Sequence, residues 1–501
     1  MSTFSKLHHI SYMVAVCLLL PLMCACSSDD SNTGLEDSRT LLSHQYINLN
    51  ITVGTGNGGS MRAPAGGEEG DGREAGFERE NLVTGITLML YEDAAGINTT
   101  DETTLSFIKY YPVSLVSRET AGTPYNTKQD EAIYTTGNQS LEGSGLDMSK
   151  TYHVIVVANQ NMTSTFTTSS KVKDVRDYVM TKIYNGTGLG ADASNFVMSL
   201  ETDYTMNFAS PSSKTTEGNK ITYFFDNIRI ERLAARIDFW TNYSNNTKTA
   251  AYGTYNVNVS GTPTMVNGFK YIIDTDGRYF ILESITLFNL YNEQEYLFKR
   301  VTSGWTGTPT TTYLADETLT NYVVDPHTVD KESSSLKYIS QLGTTEPTWA
   351  SLPFYRTAES LNSQTSKLEI SSNLTSADKS NVFVVGYAKE NTLLPTTPLK
   401  SYATGMAITG SYYTSDNDYI VRKTYCGYLR HQGESSTPYE AYEWSDLDAS
   451  ATVGSTPMKY GIVRNNIYRV SIESISPLAG KLSLKVAVHD WREVTHPQIN
   501  I

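Results

Sequence analysis

The sequence predicts a predominantly β-sheet protein, and three observations support this. Tyr, Thr, Ser and Gly are abundant, with 34 Tyr among 501 residues, and such a composition favours short strands and turns. Hydrophobic residues make up 39% of the chain, a fraction sufficient for packed cores, and charged residues make up only 18%. Several segments alternate apolar and polar residues with a period of two. The length is sufficient for two or three domains.

Charge and motifs exclude several classes of function. The net charge of −14 argues against a nucleic-acid partner, which would need a basic face. The sequence has no H-E-x-x-H, no G-x-S-x-G and no zinc-type Cys/His spacing. Its 53 acidic residues offer many carboxylate pairs and single out none. We therefore predict no enzyme, no catalytic or metal site and no cofactor.

The N-terminus has the organisation of an export signal. Lys6 precedes an apolar run from Ile10 to Leu22, which is too short for a permanent membrane span. The small residues around Cys26, followed by Ser and Asp, resemble the lipobox and acidic run of surface-exported bacterial lipoproteins. On this interpretation Cys26 carries the lipid. The alternative is an ordinary secretory signal with a chance Cys.

The first strand is predicted at residues 45–53. Its apolar side chains are expected on one face of the strand: Ile47, Leu49, Ile51 and Val53. The segment Gly54 to Gly76 follows and is rich in Gly, Ala, Glu and Pro, so we expect a protease-accessible loop. Gly54, Gly56 and Gly59 match G-x-G-x-x-G, but the residues after them do not open the helix that a dinucleotide site needs.

Further strands are predicted along the body of the chain. They lie at Glu80 to Tyr91, Tyr152 to Asn159, Ile228 to Trp240, Tyr279 to Phe298 and Val382 to Pro395. Residues 98–150 are expected to be loop-like, and residues 171–200 to include a short helix. For the ranges 241–267 and 307–378 the sequence offers a composition but no clear strand pattern or motif. Cys426 is the one Cys of the body, and a buried thiol is favoured over a nucleophile.

The C-terminal region contains two more alternating strands and a tail. One strand places Tyr468, Val470 and Ile472 on one face. The next strand presents an apolar face of four residues: Leu482, Leu484, Val486 and Val488. The tail carries apolar residues at Val494, Ile499 and Ile501 and also Pro497, which cannot occupy a central sheet position. Such a tail predicts an edge strand or a strand that pairs with another chain.

Several of these motifs resemble Bacteroidales fimbrillins, the subunits of type V pili. The resemblance is carried by GIVRNNIYRVSIESI at 461–475 with Trp491, by TYCGYLRH at 424–431, by Glu390-Asn391-Thr392 and by the strand at 228–240. The greatest likeness is to the shaft subunit of the minor (short) fimbria. The motifs are scattered over most of the chain and are most specific in its C-terminal third.

The resemblance implies an all-β fold of two transthyretin-like Greek-key β-sandwich domains in tandem. The implied organisation is a signal at 1–26, a propeptide at 27–62, an N-terminal domain at 63–226 and a C-terminal domain at 227–501. It implies cleavage by an Arg- or Lys-specific protease in the loop after the first strand. Arg62 is the first choice of site, and Arg73 and Arg79 are alternatives.

The same resemblance implies a fimbrial subunit that supports adhesion and biofilm formation. Loss of the first strand would open a groove, and a donor strand at about 482–501 of another copy would fill it. The precursor would be an outer-membrane lipoprotein and the product a cell-surface fimbrium with anchor and tip subunits. Two alternatives remain: an anchor or tip subunit, and a glycan-binding surface lipoprotein. The second would stack sugars on aromatic side chains such as Trp240, Trp305, Trp349, Trp444 and Trp491.

Overall fold

The structure is a computed structural model of the chain. It describes residues 42–53, 78–92, 96–98, 102–118, 132–185, 194–240, 271–273, 278–303, 312–314, 322–333, 335–352, 354–357, 382–414, 419–431, 439–456, 458–476 and 481–490.

The N-terminal half of the described chain contains fourteen strands. They are β1 (Gln45–Val53), β2 (Gly85–Tyr91), β3 (Phe107–Pro112), β4 (Ser114–Arg118), β5 (Ala132–Thr135), β6 (Gln139–Ser140), β7 (Thr151–Ala158), β8 (Val179–Met180), β9 (Tyr184–Asn185), β10 (Ser194–Phe196), β11 (Met198–Leu200), β12 (Tyr204–Asn207), β13 (Ser213–Glu217) and β14 (Lys220–Arg232). Eleven of them form one sheet, in which the order β3-β2-β7-β11-β14-β1-β5-β4 is extended by β12, β13 and β6.

The C-terminal half contains the remaining strands. They are β15 (Ala235–Trp240), β16 (Tyr271–Ile273), β17 (Tyr279–Phe288), β18 (Leu290–Tyr291), β19 (Glu295–Tyr296), β20 (Arg300–Thr302), β21 (Thr312–Tyr313), β22 (Tyr322–Val323), β23 (Tyr338–Ile339), β24 (Arg356–Thr357), β25 (Val382–Ala388), β26 (Gly405–Tyr413), β27 (Tyr419–Tyr428), β28 (Tyr439–Glu443), β29 (Asn466–Ser476) and β30 (Lys481–Asp490). Ten of them form a second sheet, in the order β16-β17-β26-β27-β28-β30-β29-β15-β25 with β24 beside β17.

Helices are short in the described part of the chain. The α-helices are Glu78–Asn81, Val172–Arg176 and Leu399–Tyr402, and the 3₁₀ helices are Trp349–Ser351 and Trp444–Asp446. The fold is therefore predominantly β-sheet, which confirms the predicted class, and the helix Val172–Arg176 confirms the short helix expected within 171–200. Buried side chains from both large sheets, from Ile47 to Val486, belong to one hydrophobic cluster.

Three expectations about individual strands were wrong. The strand expected from Glu80 begins only at Gly85, because Glu80 and Asn81 belong to the helix Glu78–Asn81. Residues 98–150 were expected to be loop-like, yet they contain β3, β4, β5 and β6. Their Ser- and Thr-rich composition is compatible with strands because side chains on the solvent side of a sheet remain polar. The single strand expected from Ile228 to Trp240 is two strands, and Leu233 and Ala234 separate them. The chain passes from the first large sheet to the second at this point, whereas the domain boundaries themselves stay predictions.

Candidate strand-exchange groove

β1 is an interior strand of the first sheet. On one side it runs parallel to β14, with Gln45 opposite Ile221 and Val53 opposite Ile230. On the other side it is antiparallel to β5 and β6. Both edges of β1 are thus hydrogen-bonded, and its removal would leave unpaired backbone groups on both neighbours.

The apolar face of β1 is buried as the sequence predicted. Ile47, Leu49 and Ile51 are 0% exposed and Val53 is 2% exposed. Each such side chain contributes about 1.5–3 kcal/mol through its burial. An empty β1 position would therefore be a deep apolar groove between β14 and β5.

The opposite face of β1 makes specific polar contacts that the sequence did not reveal. The Asn48 amide donates to Asn138 Oδ1 at 3.1 Å and accepts from Thr135 Oγ1 at 2.5 Å. Asn50 Nδ2 donates to Asp226 Oδ1 at 2.5 Å. A strand that took the place of β1 would meet these same polar groups. The alternating Asn48 and Asn50 on the polar face of the strand were the available signal.

The three arginines proposed as processing sites differ in what the structure describes of them. Arg62 and Arg73 lie outside the described residues, as does Cys26. Arg79 lies within the helix Glu78–Asn81 and is half-buried. The next residue, Glu80, is 0% exposed. A protease could reach the Arg79–Glu80 bond only after this helix had opened.

Glu80 joins the two large sheets through a buried ion network. Arg236 Nη1 donates to Glu80 Oε2 at 3.0 Å, and Tyr387 Oη donates to Glu80 Oε1. Burial, and next the negative charge of Glu80, raises the pKa of Tyr387 well above its ordinary value, so the phenol remains a donor. Asp238 accepts from Arg236 at 3.0 and 3.1 Å and from Arg469 at 3.3 Å.

Arg232 extends this network on the side of the first sheet. It donates to the Glu80 carbonyl at 3.1 Å, to Asn465 Oδ1 at 3.0 Å and to Asn81 Oδ1. The helix Glu78–Asn81 is thus held by residues of β14, β15 and β25. Sequence reasoning missed this junction, although Arg232 and Arg236 in an apolar stretch were a signal for buried ion pairs.

The predicted donor strand lies partly within the second sheet. Leu482, Leu484, Val486 and Val488 belong to β30, in which Leu484 and Val486 are 0% exposed. β30 pairs with β29 along its length, and its residues 481–484 also pair with β28. Val494, Ile499 and Ile501 lie outside the described residues. Residues 482–490 of the predicted donor are therefore paired within the subunit, and the residues after Asp490 lie outside the described ranges.

The motif at 424–431 has a packing role. Cys426 is 1% exposed, and burial, with a smaller contribution from Glu346, raises the pKa of its thiol well above the ordinary value. Arg430 lies 4.2 Å from the centre of the Tyr439 ring, and His431 Nδ1 is 2.7 Å from Tyr468 Oη. The buried-thiol interpretation of Cys426 is confirmed.

The described tryptophans pack against the protein core. Trp349 and Trp444 are half-buried and pack against a core cluster. Trp305, Trp491 and the side chain of Trp240 lie outside what the structure describes. Within the described ranges, no three His, Cys, Asp or Glu side chains meet as a metal site would require. No helix of the described segments is long and apolar enough to cross a membrane.

Comparison with known proteins gives low similarity throughout. No family model and no curated protein matches the chain. Among solved structures, the chain is similar to the tip fimbrial protein Mfa3 of Porphyromonas gingivalis, with a TM-score of 0.36, 11% identity and coverage of 89% of this chain and 100% of that one. The fimbrilin FimA of Porphyromonas gingivalis gives a TM-score of 0.37 and 13% identity, covering 91% and 100% of the two chains. Similarity at this level carries no argument about family or function.

Proposed function

We propose that the chain is the structural subunit of a cell-surface fimbrium that polymerises by strand exchange. The observation that carries the proposal is the position of β1, an N-terminal strand that is paired on both edges and buried along its apolar face. The sequence segment that follows it contains Arg62 and Arg73. One cut there makes β1 a removable part of the sheet. The sequence resemblance to fimbrillins supports the same proposal.

The order of events follows from effective concentration. Before cleavage β1 is tethered, at an effective concentration on the order of millimolar, and excludes strands of other copies. After cleavage β1 can leave, and the C-terminal tail of another copy occupies the groove by β-augmentation. A head-to-tail contact of this kind does not close on itself and therefore builds a filament. The cut also separates the body from lipidated Cys26 and so releases the subunit from the outer membrane.

The structure favours some processing sites over others. Arg79 precedes a fully buried Glu80, and cleavage between them would break the junction network. We therefore propose that an Arg- or Lys-specific protease cuts at Arg62 or Arg73, which lie in the sequence segment that follows β1. Anchor and tip roles within the same fimbrium remain the alternatives. An anchor would retain both the lipid and β1.

N-terminal sequencing of the protein from the cell surface tests the proposal. We expect a start at Ala63 or Glu74 and a ladder of high-mass species on a heated but unboiled gel. Arg62→Ala combined with Arg73→Ala should give a lipidated monomer that starts at Cys26, whereas Arg79→Gln should be processed normally. Filaments of normal length from a variant that lacks all three arginines would overturn the proposal.

A further inference from the structure

The tail of the chain repeats the sequence that leads into β1. Without a gap, residues 494–501 align with residues 42–49 as Val494/Leu42, Thr495/Ser43, His496/His44, Pro497/Gln45, Gln498/Tyr46, Ile499/Ile47, Asn500/Asn48 and Ile501/Leu49. The His, Ile and Asn pairs are identical. Three further pairs keep their chemical class, apolar with apolar or hydroxyl with hydroxyl. The alignment pairs the two segments from N-terminus to C-terminus, without reversal.

We propose that the tail of one copy enters the groove of another in the direction and register of β1, position for position over these eight residues. The inference rests on the proposed function and adds to it the orientation and contacts of the incoming strand. The tail would run parallel to β14 and antiparallel to β5 and β6, as β1 does.

The apolar positions of the groove fit this register. Leu42, Ile47 and Leu49 are the buried apolar residues of the aligned segment, with 6%, 0% and 0% of their surface exposed. The tail presents Val, Ile and Ile at the same three positions. Ile at the positions of Ile47 and Leu49 conserves side-chain volume, which packed sites tolerate best, and Val at the position of Leu42 is smaller by one methylene.

The polar position is matched by an identical residue. Asn48 uses its amide both as donor to Asn138 and as acceptor from Thr135. Asn500 would bring the same donor and acceptor to the same two partners. An aliphatic or charged side chain at this point would leave one of these groups without its hydrogen bond.

The register also gives Pro497 an allowed position. It aligns with Gln45, the first residue of β1, and the first residue of a strand is one of the few sheet positions that proline tolerates. The Gln45 carbonyl accepts from the Leu141 N–H at 2.9 Å, and proline retains a carbonyl. A register shifted by two residues would still superpose Ile-Asn-Ile on Leu49-Asn50-Ile51. It would, however, place Pro497 at Ile47, inside the strand and between Gln139 and Tyr223.

Disulfide cross-linking distinguishes the two registers. Asn500→Cys with Asn138→Cys tests the proposed register, and Asn500→Cys with Asp226→Cys tests the shifted one, because Asp226 is the partner of Asn50. Asn138 and Asp226 hydrogen-bond the side chains of Asn48 and Asn50 at 3.1 and 2.5 Å, so both positions lie beside the strand that the tail would replace. A disulfide needs Cβ atoms about 3.5–4.5 Å apart, and the geometric control tests this spacing. Asn48→Cys with Asn138→Cys in the uncleaved chain is the geometric control. The unsubstituted chain, whose body holds buried Cys426, is the background control.

Cleaved subunits that carry the first pair should give a covalent ladder on a non-reducing gel, and reduction should abolish it. The second pair should give no ladder. A ladder from the second pair alone, or polymers without a cross-link from either pair, would overturn the register while the proposed function stands. Cleaved subunits that do not polymerise at all would overturn both proposals.

Discussion

Glu80 lies at the centre of the junction between the two sheets. It is fully buried and accepts from Arg236 and Tyr387. Glu80→Gln keeps the shape and one acceptor but removes the charge opposite Arg236. Loss of one partner of a buried ion pair costs about 3–5 kcal/mol, and we expect a loss at the lower end of that range because Asp238 still neutralises Arg236. Urea titration of the variant and the unsubstituted chain measures this loss in the free energy of unfolding.

Glu92→Gln is the matched control for this substitution. Glu92 pairs with Lys150 at 2.8 Å, but nearly half of each side chain is exposed, and surface pairs of this kind contribute about 0–1 kcal/mol. Equal effects of the two substitutions would show that Glu80 does not hold the junction. The sequence could not supply this role for Glu80, because a sequence does not show which of 53 acidic residues is paired inside the core.

At the scale of elements, β1 is the strand that alternation predicted best. Its four apolar residues are buried as expected because one face of an interior strand packs against the core. The polar partners Asn138, Thr135 and Asp226 could not be predicted, since register and strand order depend on contacts distant in sequence. The same limit explains why the strands between 98 and 150 were missed: their polar composition conceals short strands that the sheet completes.

The contribution of β1 can be measured in the uncleaved precursor. Leu49→Ala removes a fully buried side chain and should lower the free energy of unfolding by about 2–5 kcal/mol, from lost burial and the cavity left behind. Val116→Ala on β4, where the side chain is 58% exposed, should change it by about 0.5 kcal/mol or less. Urea titration of both variants makes the comparison. A small effect of Leu49→Ala would mean that the β1 position contributes little and would make a poor site for a donor strand.

At the scale of the whole molecule, the proposed cut after β1 would change the stability of the subunit without removing any contact of the folded state. β1 is paired with β14 on one edge and with β5 on the other, and a cut in the segment that follows it breaks none of these pairings by itself. The cut instead changes the state in which β1 has left its groove: β1 is then a separate peptide and no longer a tethered segment. In the intact chain β1 returns to its groove as a tethered segment at an effective concentration on the order of millimolar.

A chain cut at Arg62 should therefore unfold in a concentration-dependent way. At about one micromolar protein, the loss of tethering weakens β1 binding about a thousandfold, or about 4 kcal/mol. We expect the urea midpoint of the nicked, tail-deleted protein (residues after Asp490 removed to prevent polymerisation) to rise as protein concentration increases. The intact, tail-deleted chain is the control and should have the same midpoint at every concentration. A concentration-independent midpoint for the nicked protein would show that β1 does not separate from the body on unfolding, and strand exchange at this groove would then lack its first step.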